Sequence, residues 1–436
     1  MDIDSGYTAW LLICAALVML MTPGLAFFYG GLSRAKSVIN MMLMSFTAIA
    51  LVSLTWILVG WSLTYTDGGA ANPFVGGFSE VGLRGITMAI DEEVGIPVMV
   101  DVGFQMMFAV ITVALISGAI ADRAKIGAWM VFVPVWAILV YFPVAHWVWG
   151  GGWVEDIEIG GANVIDFAGG TAVHINAGAA ALALALVLGR RKGFGPGLGR
   201  PHNLPFVLLG AALLWFGWFG FNAGSAYAAD EVAGLALVNT QVAVAGAALA
   251  WLLVERLRYG KVSAFGFASG IIAGLVGITP AASTVTPVGA AIVGVLAGGV
   301  CAYAISWKYK LGYDDALDVV GLHMVAGIVG CLAIGFISSA AAGEGVDGLL
   351  FGGGAGLLAA QAVSVVGVLA YSFAVTFVIG KTIDAVIGFR LPEEVETNGV
   401  DVELHAENAY ILEDSLTDEL SSPTPPGEEV PSPPRG

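Results

Sequence analysis

Hydrophobic residues in this 436-residue chain gather in long unbroken runs rather than in alternation or short amphipathic stripes. Eleven such runs lie near 6–31, 38–63, 97–119, 126–148, 163–188, 204–222, 232–254, 262–279, 286–306, 317–340 and 350–380, separated by short polar or Gly/Pro-rich breaks. At about 1.5 Å per helical residue, each can cross roughly 30 Å of hydrocarbon. The pattern predicts an all-α membrane protein with about eleven transmembrane helices.

Charge placement fixes the expected orientation. Of the 17 basic residues, all but Arg84 fall in one alternating set of loops or in the tail. Arg34 and Lys36 follow the first run; Arg123 and Lys125 the third; Arg190, Arg191, Lys192 and Arg200 the fifth. Arg256, Arg258 and Lys261 follow the seventh, Lys308 and Lys310 the ninth, and Lys381 and Arg390 the eleventh. The other set is acidic, with Asp91–Glu93, Glu155, Asp156, Glu158, Asp230, Glu231, Glu344 and Asp347. Basic loops stay in the cytoplasm, so the N-terminus is expected outside and the C-terminus inside. The first run has no basic stretch before it and no small-residue cleavage site, so no cleaved signal peptide is expected.

Composition agrees. Hydrophobic residues make up 58% and charged residues 12%, against about 25% charged in soluble domains. A net charge of −17 also excludes a nucleic-acid binder. The 61 glycines would weaken helices in water, but in lipid small residues let helices approach closely. Cys14, Cys301 and Cys331 sit in apolar runs without metal-ligand spacing, and no cofactor is expected. Residues 1–389 read as the membrane domain. Residues 390–436, with 12 acidic and 2 basic side chains, read as a cytoplasmic tail, Pro/Glu-rich and disordered after about 415.

Ionisable groups inside apolar runs are costly and are functional candidates by default. The fifth run carries Asp166, then His174-Ile-Asn-Ala-Gly178; the tenth carries Asp318, then His323-Met-Val-Ala-Gly327. Both read Asp, Gly, His-x-x-Ala-Gly, and they are the fifth members of two successive sets of five. Repeats of five spans are necessarily inverted, and inverted repeats place transport sites near the midplane. His174 is expected about eleven residues into its span, with His323 as its counterpart. A lone intramembrane His is more simply an interhelical hydrogen bond; two in matched positions point to function, since imidazole both donates and accepts a proton. Either Asp can instead cap a helix. Three clusters meet the outer side: Gln105–Phe108, Ala145–Gly152 and Gly217–Ser225. Their aromatics suit either a membrane-interface belt or a cation-π vestibule.

The segments AHWVWGGG, IDFAGGTAVHINAG, PHNLP, GWFGFNAGS, AGLVGITPA and GLHMVAGIVG together resemble the Amt/Mep/Rh ammonium transporters, on the Amt side, from about residue 6 to 412. The resemblance implies eleven helices in an inverted five-plus-five repeat plus a final helix, assembled as a homotrimer with one pore per protomer in the cell membrane. It implies an external NH4+ site of Phe108, Trp149 and Ser225, supported by Asp166, Gln105 and Trp218. It further implies a gate of Phe108 and Phe221 and a pore lined by His174 and His323. Residues 401–410 resemble the family's coupling segment, with Ala406 and Asn408 as departures. A PII-type regulatory protein (GlnK) is the implied partner at the cytoplasmic face. The expected function is transport rather than enzyme catalysis: NH4+ binds outside, loses its proton, and NH3 crosses. The rival reading is an ammonium sensor signalling through the tail.

Overall fold

A computed structural model describes residues 3–196 and 201–410; the stretch expected to be disordered after about 415 lies outside the described residues. Among the described residues, eleven helices have the length and apolarity to cross a membrane. They are α1 (Ser5–Leu32), α2 (Val38–Tyr65), α3 (Val98–Ile120), α4 (Ile126–Trp149), α5 (Gly170–Leu188) and α6 (Leu204–Gly224). The rest are α7 (Glu231–Tyr259), α8 (Ala264–Ala281), α9 (Pro287–Leu311), α10 (Val320–Ile337) and α11 (Gly356–Ile387). Two short helices follow, α12 (Glu393–Asn398) and α13 (Val400–His405). A small hairpin, β1 (Glu158–Ile159) with β2 (Ala162–Asn163), precedes α5.

Helix limits follow local chemistry. Asp4, Asn203, Asp230, Ser263 and Thr286 each accept a hydrogen bond from a backbone N–H three residues on, capping α1, α6, α7, α8 and α9. The α7 helix stops at Gly260 in left-handed backbone.

Contacts repeat in the order that a five-plus-five repeat requires. The α1–α3, α2–α4 and α3–α5 packings recur as α6–α8, α7–α9 and α8–α10, while α1 packs along α6 and α5 along α10 at the interface between halves. The final helix α11 lies over α4, α5 and α10. Small residues make these approaches possible. A Cβ on Gly294 or Gly298 of α9 would stand 2.0 or 2.2 Å from carbonyls of α7, so only glycine fits there.

Two expected boundaries move. Residues 163–169 are not helical, and α5 starts at Gly170, because Gly169 takes left-handed backbone (φ 108°) and the Asp166 carboxylate wraps the helix start. His174 therefore lies one turn into its helix, not eleven residues. The last span begins at Gly356 rather than 350, after Gly352 and Gly354 turn the chain with φ of 94° and 79°.

At the basic end, charge is buried in pairs. Arg191 donates through Nε and Nη2 to both oxygens of Asp314 at 2.9 Å, and through Nη1 to Asp122 at 3.0 Å. Arg123 donates to the Asp314 carbonyl at 2.5 Å. The tail docks on the same region. Leu391 N–H reaches Arg123 O, Glu396 accepts from Arg390 and from Lys192 N–H, and Asp401 accepts from Ile39 and Asn40 N–H. Asp401 thus caps α2, whose own N-cap residue makes no side-chain cap bond. The hydrogen bonds of the tail go to the loops after α1, α3 and α5 and to the adjoining ends of α2 and α5, and none found among the described residues reaches Arg256 or Lys261.

Arg191→Met leaves the buried Asp314 carboxylate without its ion-pair partner and Asp122 with Arg34 alone, and loss of one partner of a buried pair costs about 3–5 kcal/mol. The expected outcome is a clearly lower unfolding temperature in detergent at pH 7. Burial raises the Asp314 pKa, but hydrogen bonds and charge from Arg191 and Arg123 more than offset this and hold it below the ordinary value. This stabilisation is therefore present at neutral pH and lost as pH falls below about 4. The stability gap between wild type and variant should narrow in that window.

Candidate functional site

The site runs along the interface between the two halves. At the acidic end, Trp149 closes α4 and its indole N–H donates to the Asp166 carbonyl at 2.9 Å. The Asp166 carboxylate accepts from the N–H groups of Gly169 (2.9 Å), Gly170 (2.6 Å), Thr171 (2.8 Å) and Ala172 (3.2 Å), and from the Thr171 hydroxyl. Asp166 is therefore a helix cap that fixes Trp149 through its own backbone. Burial pushes its carboxyl above the ordinary value, although the hydrogen bonds from Thr171, Gly170 and Ala172 pull the other way.

Below Trp149 the aromatic side chains form a continuous series. The Phe108 ring meets Trp149 edge-on, with centroids 6.1 Å apart and planes at 89°, and stacks on Phe221 at 4.1 Å and 19°. Both phenylalanines are almost wholly buried, so the stack closes the path. Ser225 follows α6 directly, and its hydroxyl donates to the Phe221 carbonyl at 2.9 Å. That bond uses the single O–H and leaves the oxygen lone pairs as acceptors.

Beyond the stack lies a small enclosed cavity lined by Phe221, Trp218, His174, His323 and aliphatic side chains of α1, α3, α6 and α8. Its volume to a water-sized sphere is about 10 Å³, room for about one water-sized molecule. Trp218 is committed, its indole donating to Thr279 Oγ1 at 2.8 Å. It stacks on His174 with centroids 5.3 Å apart. His174 and His323 face each other Nδ1 to Nδ1 at 3.3 Å. One of these nitrogens must carry the shared hydrogen, so the pair presents one Nε2 that donates and one that accepts. His174 Nε2 is buried and has no partner among the described residues.

Both histidines sit in π-helical turns, Gly170–Ile175 and Val320–Met324, a departure from α-helix frequent at functional sites. The glycines of the two His-x-x-Ala-Gly motifs explain the spacing. A Cβ on Gly178 would lie 2.5 Å from Met324, the residue after His323. A Cβ on Gly327 would lie 3.0 Å from the Gly170 carbonyl and 3.4 Å from His174 Cβ. Each repeat supplies the hollow into which the other repeat's histidine turn fits.

The structure brings Phe108, Trp149, Ser225, Phe221, Trp218, His174, His323 and Asp166 into one connected series; Gln105 joins from the side, donating to the Tyr227 hydroxyl at 2.7 Å. One expected correspondence changes. Asp318 is not the counterpart of Asp166; it takes left-handed backbone (φ 65°) and pairs with Lys308 at 2.6 Å. Asp315 is the counterpart, accepting from Val319 and Val320 N–H to cap α10. The spacing could have shown it, since His174 and His323 each lie eight residues after their capping Asp. His146 and Trp147 stand apart from the series: His146 is held between the Thr64 and Asn72 carbonyls, and Trp147 packs on Trp153 and Tyr371. No group of three or more His, Cys, Asp or Glu is arranged to hold a metal among the described residues.

Comparison with known proteins places this geometry. Residues 9–410 match the model of the Ammonium Transporter Family. An ammonium transporter of Mycobacterium tuberculosis (strain ATCC 25618 / H37Rv) is 50% identical over 435 residues, covering 93% of this chain and 90% of the relative. The crystal structure of Candida albicans Mep2 superposes with a TM-score of 0.84 at 32% identity, covering 94% of each chain. A structure named Sensor Amt Protein gives 0.83 at 27% identity, covering 92% of this chain and 98% of that one.

The crossing of α5 and α10 makes a graded expectation. Gly178→Ala forces a Cβ to 2.5 Å from Met324 and Gly327→Ala to only 3.0 Å from a carbonyl; overpacking costs about 1–3 kcal/mol. Thermal unfolding in detergent should show both variants destabilised, Gly178→Ala the more.

Proposed function

This chain belongs to the ammonium transporter family, and on that premise we propose that it recruits NH4+ at the acidic, outward-facing end and conducts NH3 past its paired histidines. The supporting observation is the order of chemistry along the path. An aromatic and hydroxyl site is divided by the Phe108–Phe221 stack from an apolar cavity whose polar lining is imidazole and one committed indole.

At the outer site, the faces of Trp149 and Phe108 attract the cation and Ser225 oxygen accepts one of its N–H bonds. Asp166 acts through position, holding Trp149 and the start of α5. Entry of NH4+ into the cavity would strip its water with few groups to replace it. Transfer of one proton to water of the outer vestibule, above the stack, removes that penalty, and neutral ammonia, both donor and acceptor, then meets the donor–acceptor pair of His174 and His323. The acidic end faces outside because the basic loops cluster at the other. Transport is favoured over sensing by likeness: the transporter relative shares 50% of residues, the sensor structure 27%. Deleting residues after 390 separates the two readings. A sensor would lose signalling and keep uptake, whereas a transporter with a coupling tail would lose uptake.

Assembly as a homotrimer, with a PII-type protein (GlnK) at the basic face, completes the proposal. Exposed Arg and Lys in those loops, and a tail already docked on them by Glu396 and Asp401, give such a partner a charged, ordered platform.

Ammonium jumps on purified protein in supported membranes test the pore. Ser225→Ala and Trp149→Leu should raise the half-saturating ammonium concentration, each removing a contact worth about 0.5–2 kcal/mol. Phe221→Ala should change rate more than affinity. Replacing both histidines by alanine should abolish selective conduction; unchanged selectivity and rate would show the pair to be structural only. A current in wild type also reads whether the proton crosses with the ammonia.

For the partner, trimeric PII protein from the same organism should be retained by the membranes in a nucleotide- and 2-oxoglutarate-dependent manner. No retention in any nucleotide state would remove it from the proposal.

A further inference from the structure

Beside the outer site lies a polar chain that the conduction path does not use. Asp101, in the first turn of α3, accepts from the Tyr227 hydroxyl at 2.6 Å, and that hydroxyl accepts from Gln105 Nε2 at 2.7 Å. Gln105 is one turn before Phe108 on the same helix, and Tyr227 is two residues after Ser225. Phe104 bridges the two, its ring edge-on to Tyr227 at 5.8 Å and to Phe108 at 4.9 Å. Tyr227 holds left-handed backbone with φ 60°, a conformation unfavourable for a bulky side chain that persists only where its surroundings enforce it.

The direction of this chain is fixed by chemistry. The phenolic hydroxyl has a single hydrogen, and it is directed at Asp101 Oδ1. The phenolic oxygen can then only accept from Gln105, which turns the amide NH2 toward Tyr227 and the carbonyl Oε1 away from it. Gln105 keeps 7% of its surface exposed, and Oε1 is not among the sealed polar atoms that lack a partner. The geometry points to Asp101 and Tyr227 as positioning residues that present Gln105 Oε1 to the outer site as a second hydrogen-bond acceptor for ammonium, beside Ser225. This rests on the transport reading and extends it: a tetrahedral cation with four N–H donors is held better by two directed acceptors than by one.

The test uses the full-length protein in proteoliposomes, reading ammonium-jump responses as half-saturation and maximum. Asp101→Ala and Tyr227→Phe should each raise the half-saturating concentration roughly tenfold, the ratio expected for a misplaced hydrogen bond to a cation, with the maximum within about twofold. Asp101→Asn keeps an acceptor for the Tyr227 hydroxyl and should rescue near-wild-type affinity. In a Gln105→Leu background, Asp101→Ala should add nothing, because the residues act through one another. Three results would overturn the inference: unchanged half-saturation in Tyr227→Phe, equal effects of Asn and Ala at 101 (a through-space charge effect), or additive effects of Asp101→Ala and Gln105→Leu. Tyr227→Phe keeps the ring and so guards against misfolding as the cause. A wild-type protein showing neither an ammonium-evoked current nor a change of internal pH would overturn the transport reading itself, and this inference with it.

Discussion

Everything at the centre of this protein depends on how closely α5 and α10 cross. Lipid provides little hydrophobic drive for helices to associate, so packing and hydrogen bonds must hold them. Here the packing is reciprocal: Gly178 receives the Met324 turn and Gly327 receives the Gly170–His174 turn. The helices enter from opposite faces, yet their first turns meet, so each begins well inside the protein rather than at its surface. That is possible only because Asp166 and Asp315 supply the hydrogen bonds those buried helix starts would otherwise lack. Two glycines and two capping carboxylates thus set the 3.3 Å between imidazoles.

The basic end solves a related problem with charge. Where loops from both halves converge, Arg191 answers Asp314 and Asp122 together, and the backbone of Asp314 answers Arg123. Buried ion pairs add little net stability over apolar packing, but they tolerate almost no rearrangement, because separating them leaves a naked charge. The tail uses the same device. Glu396 and Asp401 are almost fully buried and satisfy backbone donors of the loop after α5 and of α2. The described part of the tail is therefore an integral covering of the first repeat, unlike the exposed Lys192–Glu393 pair, which solvent screens.

Most of the fold was legible because membrane insertion imposes a coarse and repeated code. Eleven apolar runs became eleven helices, and the His-x-x-Ala-Gly repetition announced the inverted symmetry before any contact was known. What failed was local. The run near 163–188 is apolar throughout, and hydropathy cannot tell helix from an apolar strap that dips to its cap; the break at Gly169 is a backbone event. Asp318 sits nearer the histidine, but a cap must sit far enough back to reach the helix start, and that residue is Asp315. Tyr227 carried no signal at all. Its importance comes from a left-handed turn and from a partner 126 residues away, neither of which composition or periodicity records.

On the proposed reading, discrimination between ammonium and potassium arises from chemistry rather than size. The two cations have similar radii, so the outer site alone separates them only by hydrogen-bond direction, and a few directed acceptors give a modest preference. The larger discrimination comes from the step that follows. A cavity with room for about one small molecule, lined by Leu25, Ile111, Leu214 and Ile272, leaves any ion to face most of its desolvation unpaid. Ammonium escapes that barrier by giving up a proton, and potassium has none to give. The Phe108–Phe221 stack matters for the same reason. By excluding a continuous water column between vestibule and cavity, it denies a hydrated ion the one route that would spare it the loss of its water, while still yielding, through ring motion, to a neutral molecule the size of ammonia.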